Sequence, residues 1–398
     1  MPRRMGFDKL SDDVLVLALR RVPFASHGSL ARVCQRFRFL ILSKAFRAER
    51  LEAGLAEVCV LVAGGISGWE TVTRTVEGGI SRREERSVVT NECWLLVNQK
   101  WRPIAPMNEP RWAFRAVVFN GEVWVTGGMR AKPDNIEEDR HLATVEIYSP
   151  RTNSWRYGPQ MRQPRYYHTA GVVGGHLIVA SGFMKEADED GGRSQSTLRT
   201  AEACDGTKWF PVPKCPRRAW HPTGCELNGM FYVFGGMPED YHTQVLAWTE
   251  RDGFEWSVKA SLPEGKHPDH DQTWSQVGRA EATAAAVGGK ILIIGGCSKR
   301  GRQLSVLEYD SDADAWALAP PLPAEYGEHI SGAFRYFQAA DFGEDQGEGR
   351  ILVMHRDRFM VRRPDGEWDP APEWLWDPAL ACGAGCMPYA CAVVSVLL

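Results

Sequence analysis

The chain has 398 residues, 47 Lys and Arg against 50 Asp and Glu for a net charge of −3, with 44% hydrophobic and 10% aromatic residues. That apolar content excludes disorder of the whole chain, because it is ample for a buried core. The length leaves the domain count open, since propellers and barrels often exceed the usual domain size as single closed units.

Met1-Pro2-Arg3-Arg4 leads into Phe7-Asp8-Lys9 without an apolar signal-peptide stretch, and the closing run Ala390 to Leu398 is too short to span a bilayer. A soluble intracellular protein is expected, cytoplasmic or nuclear or both, with no membrane partner. The ten cysteines are scattered rather than set at framework spacings, so free thiols are expected. Charge is uneven. Residues 1–50 hold eleven Lys/Arg and four Asp/Glu, a local +7 that leaves −10 for the rest.

In chain order, the first element is an amphipathic helix: Val14, Leu15, Ala18, Leu19 and Val22 fall at steps of one and three. Ser11 is placed to cap it, Asp12 and Asp13 suit the positive end of its dipole, and Pro23 closes it. A second helix is predicted from Leu30, Val33, Cys34, Phe37, Leu40 and Ile41, with Arg32, Arg36 and Arg38 off the stripe. Two such helices cannot bury both faces alone and need a partner. The arginines flank the stripe without a base-reading motif, so nucleic acid is not the expected partner.

Leu10-Ser11-Asp12-Asp13-Val14-Leu15, Val22-Pro23, Leu30 through Arg38 and Leu40-Ile41 resemble, in order, the F-box. That helical segment docks substrate receptors onto the Skp adaptor of cullin-type ubiquitin ligases. Proline is usual where Ser11 stands and tryptophan is common where Phe37 stands; both substitutions keep the local role. The resemblance covers residues 7–50 and implies that Leu10, Leu15, Val22, Pro23, Val33, Cys34 and Phe37 meet the adaptor. The competing reading is that the helices only cover one end of the domain that follows.

From Val58 an internal repeat appears. An apolar strand ending in a glycine doublet recurs as Val60–Gly65, Val123–Gly128, Leu177–Gly182 (Ser181-Gly182 at its end), Phe231–Gly236 and Ile291–Gly296, with a sixth copy, Ile351–His355, lacking glycine. The copies end at 65, 128, 182, 236, 296 and 355, steps of 63, 54, 54, 60 and 59 residues, the size of a propeller blade. Each is followed by a tryptophan: Trp101, Trp155, Trp209, Trp256, Trp316 and Trp368. The doublet permits close backbone approach, and the tryptophan supplies a large apolar plate between blades. Third strands are clearest at Val145–Pro150 and Val306–Asp310.

These residues resemble the kelch repeat over residues 58–398. The expected fold is mainly β, a six-bladed kelch β-propeller with a small N-terminal α-helical F-box. Val58 has no first strand ahead of it, whereas Tyr389–Val394 aligns with His168–Val173, so the C-terminal strand is expected to complete the first blade and seal the ring.

Arg111, Arg165, Arg218 and Arg279 precede first strands, beside Trp112, Tyr166 and Trp220. They are expected at one mouth of the ring, as a target-binding face, with the alternative that the arginines brace neighbouring blades through carbonyls. The insertions Ile66–Asn91, Met129–Ala143 and Phe183–Thr197 open onto the same end. Glu264–Asp271, which includes His267, Asp269 and His270, concentrates potential ligands at no spacing that fixes a metal geometry. Cys382, Cys386 and Cys391 lack a fourth zinc ligand. His168 takes a repeat position held by Phe114 and Tyr389, which suits packing rather than catalysis.

The two resemblances together imply a non-catalytic substrate receptor. It would bind the Skp adaptor, through it a cullin scaffold, and an unidentified target protein, with no cofactor and no metal. The alternative is a metal-dependent small-molecule enzyme on a kelch propeller.

Overall fold

The computed structural model describes residues 10–22, 27, 30–41, 43, 45–46, 49–50, 53, 58–76, 80–97, 100–130, 141–187, 193–236, 242–249, 253–262, 282–298, 301–302, 304–324, 338–341, 351–355, 358–363, 365–370 and 392–397. Helix α1 spans Asp12–Leu19, with the Ser11 hydroxyl accepting from Val14 N as its cap. Helix α2 spans Gln35–Ile41, five residues later than the apolar stripe predicts. Leu30 to Val33 form a turn, and the Cys34 thiol accepts from Phe37 N at the start of the helix. Leu15, Val16, Leu19, Phe37, Leu40, Ile41 and Phe46 form one small core. Arg50, 3% exposed, donates to the carbonyls of Arg20 and Val22, satisfying the C-terminal end of α1.

Among the described residues the β region contains six four-stranded antiparallel sheets. The first holds β1 (Val58–Val76), β2 (Ile80–Val97) and β3 (Lys100–Ile104), and the second β4 (Arg115–Phe119), β5 (Glu122–Thr126), β6 (Val145–Ser149) and β7 (Ser154–Tyr157). The third holds β8 (Thr169–Val173) and β9 (His176–Ala180), then a hairpin of β10 (Phe183–Ala187) and β11 (Arg193–Thr197), and returns through β12 (Ala201–Cys204) and β13 (Trp209–Val212).

The fourth holds β14 (Thr223–Leu227), β15 (Met230–Phe234), β16 (His242–Thr249) and β17 (Gly253–Ser261). The fifth holds β18 (Thr283–Val287) and β19 (Lys290–Ile294), the short hairpin β20 (Cys297–Ser298) and β21 (Gly301–Arg302), then β22 (Val306–Asp310) and β23 (Ala315–Ala319). The sixth holds β24 (Gln338–Asp341), β25 (Ile351–His355), β26 (Arg358–Arg362) and β27 (Trp368–Pro370). The last strand, β28 (Ala392–Leu397), pairs with β1 from Val58↔Leu397 to Ala63↔Ala392.

This is a propeller arrangement. First strands pack beside one another in the series β4, β8, β14, β18, β24, β28 and back to β4. The pairing of β28 onto β1 agrees with the sequence expectation, but its register is two residues away. Ala392 opposes Ala63 as Thr169 opposes Ala180, so Ala392 aligns with Thr169 rather than Gly171. A two-residue slip keeps every side chain on its expected face, which is why alternation alone does not detect it.

Second strands are buried almost throughout, as at Val123–Thr126 and Leu177–Ala180, because each is covered on both faces by neighbouring sheets. The glycine doublet ends the strand where two chains converge. Gly128 has φ +95°, and a Cβ there would lie 2.7 Å from Trp112 O.

Adjacent sheets are clasped by tryptophan. The indole N–H of Trp155 donates to Ala105 O at 2.7 Å, Trp209 to Pro159 O at 2.8 Å, Trp256 to Pro213 O at 2.8 Å, Trp316 to Ala260 O at 3.2 Å and Trp368 to Pro320 O at 3.0 Å. Each bond joins a fourth strand to the end of the fourth strand of the preceding sheet or the residues just after it. The plate expected from sequence is therefore also a polar hook.

Candidate functional site

The ends of second strands and the starts of first strands meet at one end of each sheet, and the arginines lie there. Arg111 is 0% exposed. Its Nη2 donates to Glu146 Oε1 at 2.7 Å and its Nη1 to Gly127 O at 3.0 Å. Arg165, also 0% exposed, repeats this with Glu202 Oε1 at 2.7 Å and Ser181 O at 2.9 Å. The main chain of the same residues reaches the previous sheet: Gly65 N donates to Arg111 O and Gly128 N to Arg165 O. Each glutamate also accepts from main-chain N–H groups, Asn108 and Glu109 for Glu146, Arg162 and Gln163 for Glu202. A buried guanidinium held by a carboxylate and two carbonyls is a brace.

This corrects the expectation that Arg111 and Arg165 form a target-binding face, since neither reaches solvent. Arg218 is exposed but stands one residue off the brace position. Ala219 O accepts from Gly182 N in the place of Arg111 O and Arg165 O, and Gln244 holds the register position of Glu202. Two successive arginines, Arg217-Arg218, made that register ambiguous in the sequence. Arg279 lies outside the described residues, as do Glu264–Asp271 and Cys382, Cys386 and Cys391. Among the described residues no group of three or more His, Cys, Asp or Glu is placed to hold a metal ion, and no helix is long and apolar enough to cross a membrane.

The braces carry an aromatic cluster across the second, third and fourth sheets. Trp112 meets Tyr167 edge-on at 5.7 Å, and Tyr167 lies 3.4 Å from the His221 ring. His221 meets Trp220 at 4.8 Å, Trp220 meets Phe183 at 5.5 Å, and Phe183 meets Tyr166 at 5.5 Å. Trp112, Tyr167, Phe183 and Trp220 are half-buried, whereas Tyr166 is buried. Tyr166, expected at the surface, is thus a support, and Tyr167 takes its place.

His168 is 0% exposed, with Nε2 2.9 Å from Thr126 Oγ1. Burial, aided by Arg165 and Arg115, holds its pKa well below the usual imidazole value, which fits packing rather than proton transfer. Cys34, Cys59, Cys93, Cys204, Cys215 and Cys225 are free thiols, and burial pushes Cys93 up to about 12.

Glu146, Glu202, Tyr167, Phe183 and His221 were not singled out from sequence. A signal existed for the glutamates: each is the lone charge in a buried third strand, Val145-Glu146-Ile147 and Ala201-Glu202-Ala203, at one repeat offset.

In the helical pair, Leu15 and Phe37 are 1% and 7% exposed, so they hold the core together rather than meet an adaptor directly. Leu10 and Val22 are half-buried, Val33 and Cys34 are exposed, and Pro23 lies outside the described residues. The surface instead presents Val14, Leu17, Val33 and Phe39, the last two 65% and 71% exposed.

Fold and site define a class: a β-propeller with a supported aromatic mouth, preceded by a helical pair with uncovered apolar residues. The F-box domain model matches residues 7–49, and the Kelch motif model matches 110–162 and 278–323. The chain therefore combines an F-box with kelch motifs. It is 26% identical over 339 residues to F-box/kelch-repeat protein At1g67480 of Arabidopsis thaliana, covering 76% of this chain and 82% of that protein. It is 25% identical over 254 residues to Kelch-like protein 23 of Homo sapiens, covering 55% of this chain and only 43% of that longer protein. The solved structure of YjhT superposes with a TM-score of 0.50 at 14% identity, covering 78% of this chain and 93% of that one, a likeness of fold alone.

Proposed function

We propose that this chain is the non-catalytic substrate-recognition subunit of a Skp–cullin–F-box ubiquitin ligase. In this reading the helical pair docks on the Skp adaptor, and each four-stranded sheet is one blade of a six-bladed ring whose mouth holds a target protein. The observation that carries the reading is the exposure of Val33 and Phe39 on a helical pair that matches the F-box. Large apolar groups left open beside a complete small core need a partner surface. The cyclic series of first strands supports the blade count. The half-buried Trp112, Tyr167 and Trp220 supply aromatic anchors of the kind that dominate protein interfaces.

The chain enters the propeller at Val58, the start of a second strand, at the opposite end of the sheet from the glycine doublet and the aromatic mouth. Adaptor and target would then engage opposite ends of the ring without competing.

The test is co-purification of the intact chain with a Skp adaptor. Val33→Asp with Phe39→Asp should abolish capture, while Trp112→Ala with Trp220→Ala should leave it intact and weaken target recovery. An intact chain that ignores the adaptor sinks the reading.

A further inference from the structure

We propose that the third sheet's side of the mouth binds an acidic segment of the target protein, with Tyr167 as the anchor for an aromatic or apolar side chain of that segment. This rests on the reading of the mouth as the target face and names the chemistry that face takes.

The starting observation is a backbone conformation that recurs at one repeat offset. Ala113, Tyr167 and His221 follow one another at steps of 54 residues and have φ of +55°, +51° and +55°. They are linked in series, Tyr167 N donating to Ala113 O at 2.9 Å and His221 N to Tyr167 O at 3.0 Å. This left-handed region is unfavourable for a residue with a Cβ, and most of all for a bulky one. Ala113 adopts it with only a methyl group, so the turn does not need a ring. The His221 ring is buried and forms a floor 3.4 Å from the Tyr167 ring. Tyr167 is half-buried, with Trp112 edge-on at 5.7 Å, and is the one of the three that presents a ring to solvent. A large ring kept at a strained position, propped on a buried neighbour and partly open, is placed for contact rather than for packing.

Charge identifies the partner. Beyond residue 50 the chain carries −10, yet the mouth-end segments of the third sheet and its junctions, residues 158–166, 182–202 and 212–222, hold eight Lys/Arg against five Asp/Glu, a local +3. Arg165 and Glu202 offset each other in the brace, whereas Arg162, Arg199, Lys214 and Arg218 are exposed. The main chain ties these four into one arc. Arg162 N donates to Glu202, three residues on from Arg199, and Cys215 N, beside Lys214, donates to Arg199 O at 2.7 Å. Arg115 reaches from the second sheet to donate to Pro222 O, which adds its charge next to His221. Such an arc repels a cationic segment and attracts carboxylates, while an aromatic or apolar side chain between them packs on Tyr167.

The test is fluorescence anisotropy of the full chain with three labelled peptide pools of equal length. One pool has Asp and Glu around a central Trp, Phe or Leu, the second has Lys in place of Asp and Glu, and the third is the acidic pool with Ala at the centre. The first should bind about tenfold tighter than either of the others, and less tightly as salt rises. Tyr167→Ala, a residue Ala113 shows to fit this backbone, should weaken that binding about tenfold with the urea midpoint unchanged. Lys214→Glu combined with Arg218→Glu alters two exposed residues, so the fold survives even if Tyr167→Ala lowers the midpoint. That pair should weaken the acidic pool about tenfold and strengthen the lysine pool. Equal binding of the pools, preference for the lysine pool, or wild-type binding by the charge-reversed pair or by a folded Tyr167→Ala overturns the proposal. So does a uridine oligonucleotide that binds as tightly as the acidic pool, because the arc would then be a nucleic-acid surface. Adaptor capture is scored on the same proteins: its absence with peptide binding intact counts against the receptor reading alone, and peptide failure with capture intact counts against this proposal alone.

Discussion

Arg165 Nη2 lies 2.7 Å from Glu202 Oε1, with the two side chains 0% and 3% exposed, and the adjacent sheet puts Ala219 and Gln244 at the equivalent positions. The charged brace is therefore not repeated at that junction, where neither equivalent position carries a charge. Breaking a buried pair from one side strands the other charge, at about 3–5 kcal/mol. Glu202→Ala should destabilise the protein by that amount in urea unfolding. Arg165→Ala combined with Glu202→Gln should cost less than Glu202→Ala alone, the sign of direct coupling.

The tryptophan hooks predict a smaller, local effect. Trp209→Phe keeps most of the apolar plate but removes the donor to Pro159 O, a loss of about 1 kcal/mol. Unfolding of Trp209→Phe and Trp368→Phe, singly and together, checks this: the sites are in different sheet junctions, so their costs should add.

Acid should weaken the propeller through its buried histidines. Burial holds the pKa of His168 and of His221 well below the usual value, with Arg165 and Arg115 reinforcing the effect at His168 and Arg115 at His221. Both rings stay neutral in the folded state while the unfolded chain takes up protons below about pH 6.5. Stability is then full above that pH and falls as pH drops through it, by up to about 1.4 kcal/mol per pH unit for each histidine. Urea midpoints between pH 7.5 and 5.5 should show the slope. His168→Phe, which copies Phe114 at the equivalent position, should reduce it.

For the helical pair, position decides between loss of binding and loss of fold. Leu15→Asp places a charge in the core formed with Phe37 and Leu40 and should abolish the helical circular dichroism of the segment. Phe39→Asp changes a residue 71% exposed, so the fold should survive, with stability within about 0.5 kcal/mol of wild type, while adaptor capture is lost.

Much of the architecture is legible as period. The doublet strands, the third strands Val145–Ser149 and Val306–Asp310 and the return of the last strand to β1 all follow from repeat spacing and alternation. The start of α2 was legible only approximately, because an apolar stripe continues smoothly through the turn at Leu30–Val33, where the Cys34 thiol rather than the stripe sets the first helical residue.

What the sequence determined by itself was the kind of structure: a helical pair, then repeated four-stranded units whose glycines and tryptophans recur at one blade length. Those features are local, set by backbone freedom, strand period and residue size, and they survive small errors of alignment. Which residues face a partner was decided only by the tertiary structure. Arg111 and Arg165 look like surface arginines until Glu146 and Glu202, more than thirty residues downstream, arrive from the third strand to bury them. Arg218 looks like their equivalent until Ala219 takes the bond from Gly182. Burial of a charge depends on a partner brought from far along the chain, and no local pattern reports whether that partner arrives.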